Sequence, residues 1–335
     1  MRAQITRLIA TDSTPLAVRA WLPEGVAELG APDPQAPNPR AVIQVAHGMS
    51  EHSGRYARFA AAATQAGYVV VADDHRGHGL TIAEPNERGH SLDAEGWDQL
   101  LEDQHTVLLA IKATWSHSPV ILMGHSWGSL LARGYASRHG DELAGLVSMG
   151  TVSDPGAPGR VGRLLARTEV RLRGPRHPST RLESFSYAGY NKAFAPARTD
   201  FDWLSRDPDE VDAYIADPLC GFTCTAGFYR DLITGVMEIS NPEVIARTPA
   251  DLPVLFVSGD ADPVGGAGRG VRQIATRYRA SGVHEVGLVL YPGARHELLN
   301  ETNRKKVTTA LHFSFASCTS KPFISHSKRC FQYSS

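Results

Sequence analysis

Short runs of apolar residues recur along the chain with hardly any polar positions inside them. Such runs, rich in Val and Ile, are typical of strands in a parallel sheet that is covered on both faces. They predict six strands, at residues 41–46, 68–72, 119–123, 145–149, 253–258 and 286–291. Ahead of them, two further stretches predict an antiparallel hairpin, at residues 4–10 and 16–22. We therefore expect one large, mostly parallel sheet.

Longer stretches of helical composition lie between the first of these strands, at residues 55–66, 97–113 and 128–139. In the second stretch the apolar side chains recur at helical intervals, at Leu100, Val107, Leu108 and Ile111. Alternating strands and helices connect through right-handed crossovers, which place helices on both faces of a parallel sheet. The predicted fold class is α/β, with a doubly wound sheet.

The segment from residue 151 to residue 235 breaks this alternation. It begins with a stretch rich in Pro and Gly, carries scattered arginines, and continues as short amphipathic pieces without a strand of the parallel type. We interpret it as a helical cap inserted between two strands of the sheet. The core is then predicted to comprise residues 1–150 and residues 236–312.

The end of the chain differs in composition from the rest. Residues 300–312 have the pattern of a last covering helix, but residues 313–335 contain half of the cysteines and many serines, and keep no regular hydrophobic period. This composition predicts an irregular, disordered tail. Either the tail is a C-terminal extension or the reading frame changed near residue 305, and the sequence leaves both interpretations open.

Charge and hydropathy narrow the classes of function. The chain has 335 residues, with 34 Lys and Arg against 35 Asp and Glu, and a formal net charge of −1. This balance gives no overall attraction for nucleic acid or for an anionic membrane, so no nucleic-acid partner is expected. The N-terminus lacks the apolar core of a signal peptide, and no apolar run approaches the ~18 residues of a membrane span. These features predict a cytoplasmic protein.

The four cysteines predict neither disulfides nor a metal centre. They are too few and too unevenly placed for a disulfide framework. Cys220 and Cys224 have no matching second pair, whereas a structural zinc site normally shows four ligands at recognisable spacings. The histidines between residues 47 and 90 are better explained as hydrogen-bonding loop residues. No metal and no cofactor are therefore predicted.

The strongest chemical signal is the sequence GHSWG at residues 124–128, which directly follows the strand at 119–123. A Gly-x-Ser-x-Gly motif between a strand and a helix is a nucleophile elbow, a turn so sharp that only small residues fit two positions before and two positions after the serine. The serine oxygen then projects above the sheet at a helix N-terminus, whose dipole favours a developing negative charge. Ser126 is therefore the predicted nucleophile.

A serine nucleophile needs a base and an orienting carboxylate, and on sheets with such an elbow the acid and then the histidine follow it along the chain. His296 comes just after the strand at 286–291 and is assigned as the base. Two carboxylates, Asp260 and Asp262, follow the strand at 253–258. A carboxylate at the very end of a strand often caps the loop through backbone N–H groups, which suits Asp260. We therefore favour Asp262 as the acid.

Acyl transfer also requires N–H donors for the oxyanion. The backbone N–H of Trp127, the residue after the nucleophile, is one predicted donor. The second is the N–H of Met49, in the loop after the first parallel strand, where Gly48 lets the backbone approach closely. The segment 74–79, rich in His and Gly, is interpreted as structural, with polar side chains that brace these loops.

Five motifs together resemble the monoacylglycerol lipase and lysophospholipase branch of the α/β-hydrolases, the serine aminopeptidase S33 type. They are HGMSEHSGRY at 47–56, DHRGHG at 74–79, GHSWGS at 124–129, GDAD at 259–262 and GARH at 293–296. The resemblance covers about residues 3–305. It implies an α/β-hydrolase fold with a helical cap over the site. It also implies the same nucleophile, acid, base and oxyanion donors: Ser126, Asp262, His296, Met49 and Trp127.

The resemblance implies a cofactor-free serine hydrolase that cleaves a carboxylic ester of one acyl chain through an acyl-enzyme. Aromatic residues of the cap are expected to line the acyl site: Phe201, Trp203, Phe222 and Phe228, with Phe194 and Tyr229 as further candidates. The expected partner is a small acyl ester, with transient contact between the cap and a membrane surface. A peptidase or a thioesterase on the same triad, and a non-catalytic protein that binds a hydrophobic ligand, remain open alternatives.

Overall fold

The computed structural model describes residues 1–319 and contains one eight-stranded sheet. The strands are β1 (Arg2–Ile9), β2 (Pro15–Leu22), β3 (Val42–Ala46), β4 (Val69–Asp73), β5 (Val120–His125), β6 (Gly145–Met149), β7 (Val254–Gly259) and β8 (Val286–Tyr291). They lie side by side in the order β1-β2-β4-β3-β5-β6-β7-β8. The crossovers between β3, β4 and β5 make the sheet doubly wound, as the sequence predicts.

The six strands from β3 to β8 run parallel to one another. β1 and β2 form an antiparallel hairpin, and β2 joins the sheet antiparallel to β4. Every residue of β3, β4, β5, β6 and β7 is buried, because helices cover both faces of the sheet. This double burial explains the apolar runs without polar alternation. The predicted strands and hairpin are confirmed.

In the described part of the chain, helices cover both faces of the sheet and also form the segment inserted between β6 and β7. They are α1 (Ala57–Gln65), α2 (Gly96–Thr114), α3 (Trp127–His139), α4 (Gly156–Arg173), α5 (Thr180–Tyr187), α6 (Pro208–Ala216), α7 (Ala226–Ile239), α8 (Pro242–Ile245), α9 (Arg269–Ala280) and α10 (Arg304–Thr319). Apolar residues of α2, α3 and α9 pack on one face of the sheet, and those of α1 and α10 pack on the other. Each face therefore has its own hydrophobic core.

The last helix is longer than the sequence predicts. The hydrophobic pattern indicates an end at residue 312, but α10 continues to Thr319. The side chain of Phe315 is 1% exposed and packs edge-on against Phe59 and Tyr68. The prediction of an irregular tail from residue 313 is corrected to this extent, because contacts with distant residues hold the extra turns. The remainder of the predicted tail, residues 320–335, lies outside the described residues.

Between β6 and β7 the chain forms the helices α4 to α8. The predicted end of the cap at residue 235 falls inside α7, which is continuous from Ala226 to Ile239. At Gly235 the backbone of α7 lies directly on the indole of Trp97, where a Cβ atom would be 2.1 Å from the ring. The predicted boundary therefore falls within one continuous helix, and the division into cap and core remains a prediction. None of the helices within residues 1–319 combines the length and the apolar character that a membrane span requires.

Candidate active site

Ser126 stands at a strained turn between β5 and α3. Its backbone has φ 53° and ψ −121°, a left-handed conformation that a residue with a side chain rarely adopts. The glycines two positions before and after the serine are required, since a Cβ at Gly124 would lie 2.2 Å from the Gly128 carbonyl oxygen. A Cβ at Gly128 would lie 2.1 Å from the carbonyl oxygen of Ala46. The sequence GHSWG therefore folds as the sharp elbow that its spacing predicts.

The loops after β7 and β8 bring a carboxylate and an imidazole together. Asp262 Oδ1 and Oδ2 lie 3.1 and 3.0 Å from Nδ1 of His296. The backbones of the two loops touch at Gly259, where a Cβ atom would lie 1.9 Å from the carbonyl oxygen of Ala294. Asp260 is exposed and accepts a hydrogen bond from the Gly293 amide at 2.6 Å. The geometry thus favours Asp262 as the partner of the histidine, with Asp260 in the capping role.

The Asp262 carboxylate is fully buried and remains ionised. Burial alone would raise the pKa of Asp262, but the nearby His296 imidazole and its hydrogen bonds outweigh burial, and the pKa lies below its usual value. The Val264 amide at 2.9 Å and the Ser258 hydroxyl at 3.2 Å also donate hydrogen bonds to the carboxylate. A buried anion held in this way fixes the proton of His296 on Nδ1. Nε2 of the ring is then free to accept a proton.

Ser126 and His296 line the same cavity. Rings on two sides hold the imidazole, with centroids 4.8 Å away in His125 and 5.1 Å away in Trp203. Within residues 1–319, neither the hydroxyl of Ser126 nor Nε2 of His296 has a hydrogen-bond partner, so the two are not hydrogen bonded to each other. Catalytic hydrogen bonds are often long in a substrate-free site and shorten when substrate binds. Both reactive atoms are thus available at one cavity.

One predicted oxyanion donor lies in the elbow itself, at Trp127, and the other lies in the loop after β3, at Met49. The amide of Met49, in the loop after β3, has no hydrogen-bond partner within the described chain. The peptide that carries it is held in place by Nδ1 of His47, which lies 2.7 Å from the carbonyl oxygen of Gly48. Trp127 is the first residue of α3, and the first amides of a helix have no acceptor within the helix. Both N–H groups can therefore bind an anion.

Sequence reasoning missed a buried ionic cluster beside the triad. Arg55 lies 2.7 Å from a carboxylate oxygen of Glu51 and 2.6 Å from one of Glu297. Glu51 also accepts a hydrogen bond from the Gly48 amide and lies 3.3 Å from His125. Since Glu297 follows His296 directly, the cluster joins the oxyanion loop to the loop of the base. Its signal in the sequence was the acidic and basic pair four residues apart in HGMSEHSGRY.

The cavity has a volume of about 680 Å³, within the size range of small-molecule sites. Its walls are mostly apolar and come largely from the segment between β6 and β7, including Val152, Tyr187, Tyr190, Leu232, Ile233 and Val236. Ser153, Asp154 and Gln273 add polar atoms to the same cavity. This lining suits a molecule that is mostly apolar and carries a small polar part.

Among the cap aromatics predicted to contact substrate, Trp203 lines the cavity. Phe228 instead packs on the indole of Trp127, and Phe222 packs on His78. Phe201 packs on the ring of Tyr214. The further candidates also lie elsewhere, because Phe194 stacks under the guanidinium of Arg295 and Tyr229 packs edge-on against Phe228. Within residues 1–319 these rings pack against other side chains and do not line the cavity, and their contact with substrate remains a prediction.

A mostly parallel sheet that presents a Gly-x-Ser-x-Gly elbow, an acid loop and a histidine loop at the carboxyl ends of its strands defines an α/β-hydrolase. The resemblance seen in the sequence is confirmed by comparison with known families. The model of the serine aminopeptidase S33 family matches residues 37–303, and the chain belongs to this family.

Individual relatives and solved structures agree with this assignment. A monoacylglycerol lipase of Mycolicibacterium smegmatis is 33% identical over 274 residues, which cover 81% of this chain and 86% of the relative. The human monoglyceride lipase is 27% identical and covers 77% of this chain and 73% of its own length. The crystal structure of a thermostable carboxyl esterase from Bacillus coagulans superposes with a TM-score of 0.85 at 27% identity, covering 95% of this chain and 99% of that one.

Proposed function

We propose that this carboxylic ester hydrolase cleaves esters of a single acyl chain, such as a monoacylglycerol or a lysophospholipid, with Ser126 as nucleophile, His296 as base and Asp262 as acid. One observation carries the proposal. A serine on a strained elbow and a carboxylate-bound histidine line one cavity of about 680 Å³ whose walls are largely apolar. The lipase and esterase relatives support the same class of substrate.

The reaction follows from the positions of the proton donors and acceptors. Nε2 of His296 accepts the proton of Ser126 as the serine oxygen attacks the ester carbonyl. The carbonyl oxygen becomes an oxyanion between the amides of Met49 and Trp127, and His296 then protonates the departing alcohol. Water next attacks the acyl-enzyme with His296 as the base, and the fatty acid leaves with the serine restored.

The test begins with the nucleophile and then measures the substrate. A fluorophosphonate probe should label the wild-type protein at Ser126, and Ser126→Ala should abolish both labelling and hydrolysis. A series of p-nitrophenyl esters and monoacylglycerols from two to sixteen carbons should show higher kcat/KM for medium or long chains. Failure to label Ser126 would refute the proposed serine hydrolase. A profile limited to short chains would refute the single-chain lipid as substrate.

The alternative activities are outcomes of the same test. Amino-acid p-nitroanilides report a peptidase, and acyl-coenzyme A thioesters report a thioesterase. Binding of a fatty acid without labelling or turnover would indicate a non-catalytic ligand-binding protein. The apolar cavity and the lipase relatives favour the ester.

The outer face of α4 supports contact with an anionic lipid surface. Val161, Leu164 and Leu172 expose 53%, 67% and 78% of their area on this helix. The same helix carries five arginines, none of which forms an ion pair within residues 1–319: Arg160, Arg163, Arg167, Arg171 and Arg173. The overall charge of −1 conceals this local excess. Apolar side chains among basic ones are typical of a helix that lies on a membrane surface.

The position of α4 connects this surface to the cavity. Gly159 and Gly162, on the inner side of the helix, line the cavity that holds Ser126. Vesicles that contain phosphatidylglycerol should therefore bind the protein better than phosphatidylcholine vesicles. Replacing Arg160, Arg163 and Arg167 by Gln should weaken this binding about a hundredfold, since each basic residue near such a surface contributes about 1 kcal/mol.

A matched control removes the same charge elsewhere. Arg269, Arg272 and Arg279 on α9 replaced by Gln should leave vesicle binding unchanged. Equal losses in the two triple variants would show that only net charge matters, and that α4 is not the contact surface.

A further inference from the structure

Three buried histidines surround the indole of Trp127, and the proposed reaction uses none of them. The ring centroid of His75 lies 5.1 Å from that of Trp127, and the centroid of His78 lies 5.2 Å from it. His47 stacks on His75 at 4.0 Å. His78 belongs to the segment 74–79, which the sequence indicates is structural, and its side chain has no exposure to solvent.

The hydrogen bonds of His78 define which ring nitrogen carries the proton. Nδ1 lies 2.9 Å from the carbonyl oxygen of Arg76, which can only accept, so Nδ1 donates. Nε2 is then a lone-pair acceptor, and it receives a hydrogen bond from the backbone amide of Ser50 at 3.1 Å. Burial and the neighbouring His47 keep the pKa of His78 well below its usual value, so the ring stays neutral.

We propose that His78 is a positioning residue for the oxyanion hole: its Nε2 holds the Ser50 amide, and its ring supports the indole of Trp127. This inference rests on the proposed function, in which the amides of Met49 and Trp127 bind the oxyanion. Ser50 follows Met49 directly, so the hydrogen bond from Ser50 fixes the peptide plane on one side of the Met49 Cα atom. His47 fixes the peptide plane on the other side through the Gly48 carbonyl.

The backbone of Ser50 needs such support. Its φ of 54° is in the left-handed region, which residues other than glycine seldom occupy. The cap holds the other side of the residue, because the Ser50 carbonyl accepts hydrogen bonds from the Gly221 amide at 2.9 Å and the Tyr214 hydroxyl at 3.0 Å. Without His78, the Ser50 amide would be a buried donor with no acceptor. The Met49 N–H would then be held from its Gly48 side only, by His47, and would be less firmly oriented toward the oxyanion.

Two polar variants separate positioning from packing. In His78→Asn the amide can still donate to the Arg76 carbonyl, but it is too short to accept from the Ser50 amide. In His78→Gln the longer side chain places an oxygen near the position of Nε2. We expect His78→Asn to lower kcat by about tenfold to a hundredfold, with KM within about twofold of wild type. His78→Gln should recover most of this loss.

A second measurement, the affinity for an inhibitor that forms an oxyanion, tests the oxyanion hole directly. A trifluoromethyl ketone of the best substrate forms a tetrahedral oxyanion on the serine, so its affinity should fall in His78→Asn by the same factor as kcat. As a control, His90→Asn removes another buried histidine, which contacts Thr225 and Asp93 away from the Met49 loop, and it should leave kcat unchanged.

These experiments distinguish a failure of the proposed function from a failure of the positioning role of His78. Wild-type protein that is not labelled by the fluorophosphonate would overturn both the proposed function and this inference. If the wild type is active, equal kcat values for the wild type and folded His78→Asn would overturn this inference alone. So would equal losses in the Asn and Gln variants, because packing and not the acceptor at Nε2 would then be what matters. Thermal midpoints confirm that the compared variants are folded.

Discussion

The choice between two neighbouring carboxylates can be tested by replacing each with its amide. Asp262→Asn puts an NH₂ group where a carboxylate oxygen now faces Nδ1 of His296 at 3.0 Å. Nδ1 must then act as an acceptor, so the imidazole proton moves to Nε2. A protonated Nε2 cannot take the proton of Ser126, and turnover should fall although the shape of the site is kept.

The magnitude follows from the same geometry. Loss of the correct tautomer in a serine triad lowers kcat by about ten-thousandfold. This factor corresponds to about 5 kcal/mol in the activation barrier. Asp260→Asn is the matched control, because an amide oxygen can still accept the hydrogen bond from the Gly293 amide that Asp260 accepts at 2.6 Å. Its kcat should stay within about threefold of wild type.

The assay is steady-state hydrolysis of a p-nitrophenyl ester at pH 8, together with the rate of fluorophosphonate labelling. Thermal midpoints of the two variants show whether either change unfolds the protein. Comparable kcat values for the two folded variants, or a larger loss in Asp260→Asn, would contradict the assignment of Asp262. A normal labelling rate in Asp262→Asn would also contradict it, because labelling requires the same proton transfer from Ser126.

Three further predictions concern stability. Burial and the neighbouring His75 lower the pKa of His47 to about 4, so the unfolded chain binds this proton first as the pH falls below about 6.5. The free energy of unfolding should therefore fall by about 3 kcal/mol between pH 6.5 and pH 4 because of this group. Urea unfolding of His47→Asn should show a flatter pH dependence over the same range. Phe315→Ala should lower the free energy of unfolding by about 3–5 kcal/mol. A chain that ends at residue 312 should lower the thermal midpoint about as much as Phe315→Ala does. An unchanged midpoint in both would mean that the last turns of α10 do not contribute to stability. Arg55→Met should cost about 3–5 kcal/mol in urea unfolding because it removes the guanidinium that the buried carboxylates of Glu51 and Glu297 share, and a stable variant would show that the cluster is not essential for folding.

The sheet and the elbow could be predicted because their signals are local. Each strand is a continuous apolar run. The elbow, the acid loop and the histidine loop each come directly after one of these runs, so all three can be placed at the same edge of the sheet. The same reasoning could favour Asp262 over Asp260, since only one of two neighbouring carboxylates can cap the strand end. Absence of a cofactor and a cytoplasmic location remain predictions.

The cavity walls and the ionic cluster could not be predicted, because both depend on how distant segments pack. Nothing in the periodicity of the cap distinguishes Trp203, which faces the cavity, from Phe228, which faces Trp127. In the ionic cluster, Arg55 pairs with Glu51 and also with Glu297, which is 242 positions away along the chain. The buried end of α10 likewise depends on rings contributed by other elements.

The walls of the cavity and the machinery that breaks the bond tolerate change to different degrees. At Gly162, on the cavity side of α4, the atoms nearest to a Cβ atom would belong to the side chains of Phe185 at 3.1 Å and Ile233 at 3.3 Å, and not to the backbone. At Gly259 the same atom would strike the backbone of the histidine loop at 1.9 Å. Substitutions in the inserted helices can therefore change which esters bind, while the residues around the elbow, the acid loop and the histidine loop stay nearly unchanged. Homologues of this chain should differ most in what they accept and least in how they cleave it.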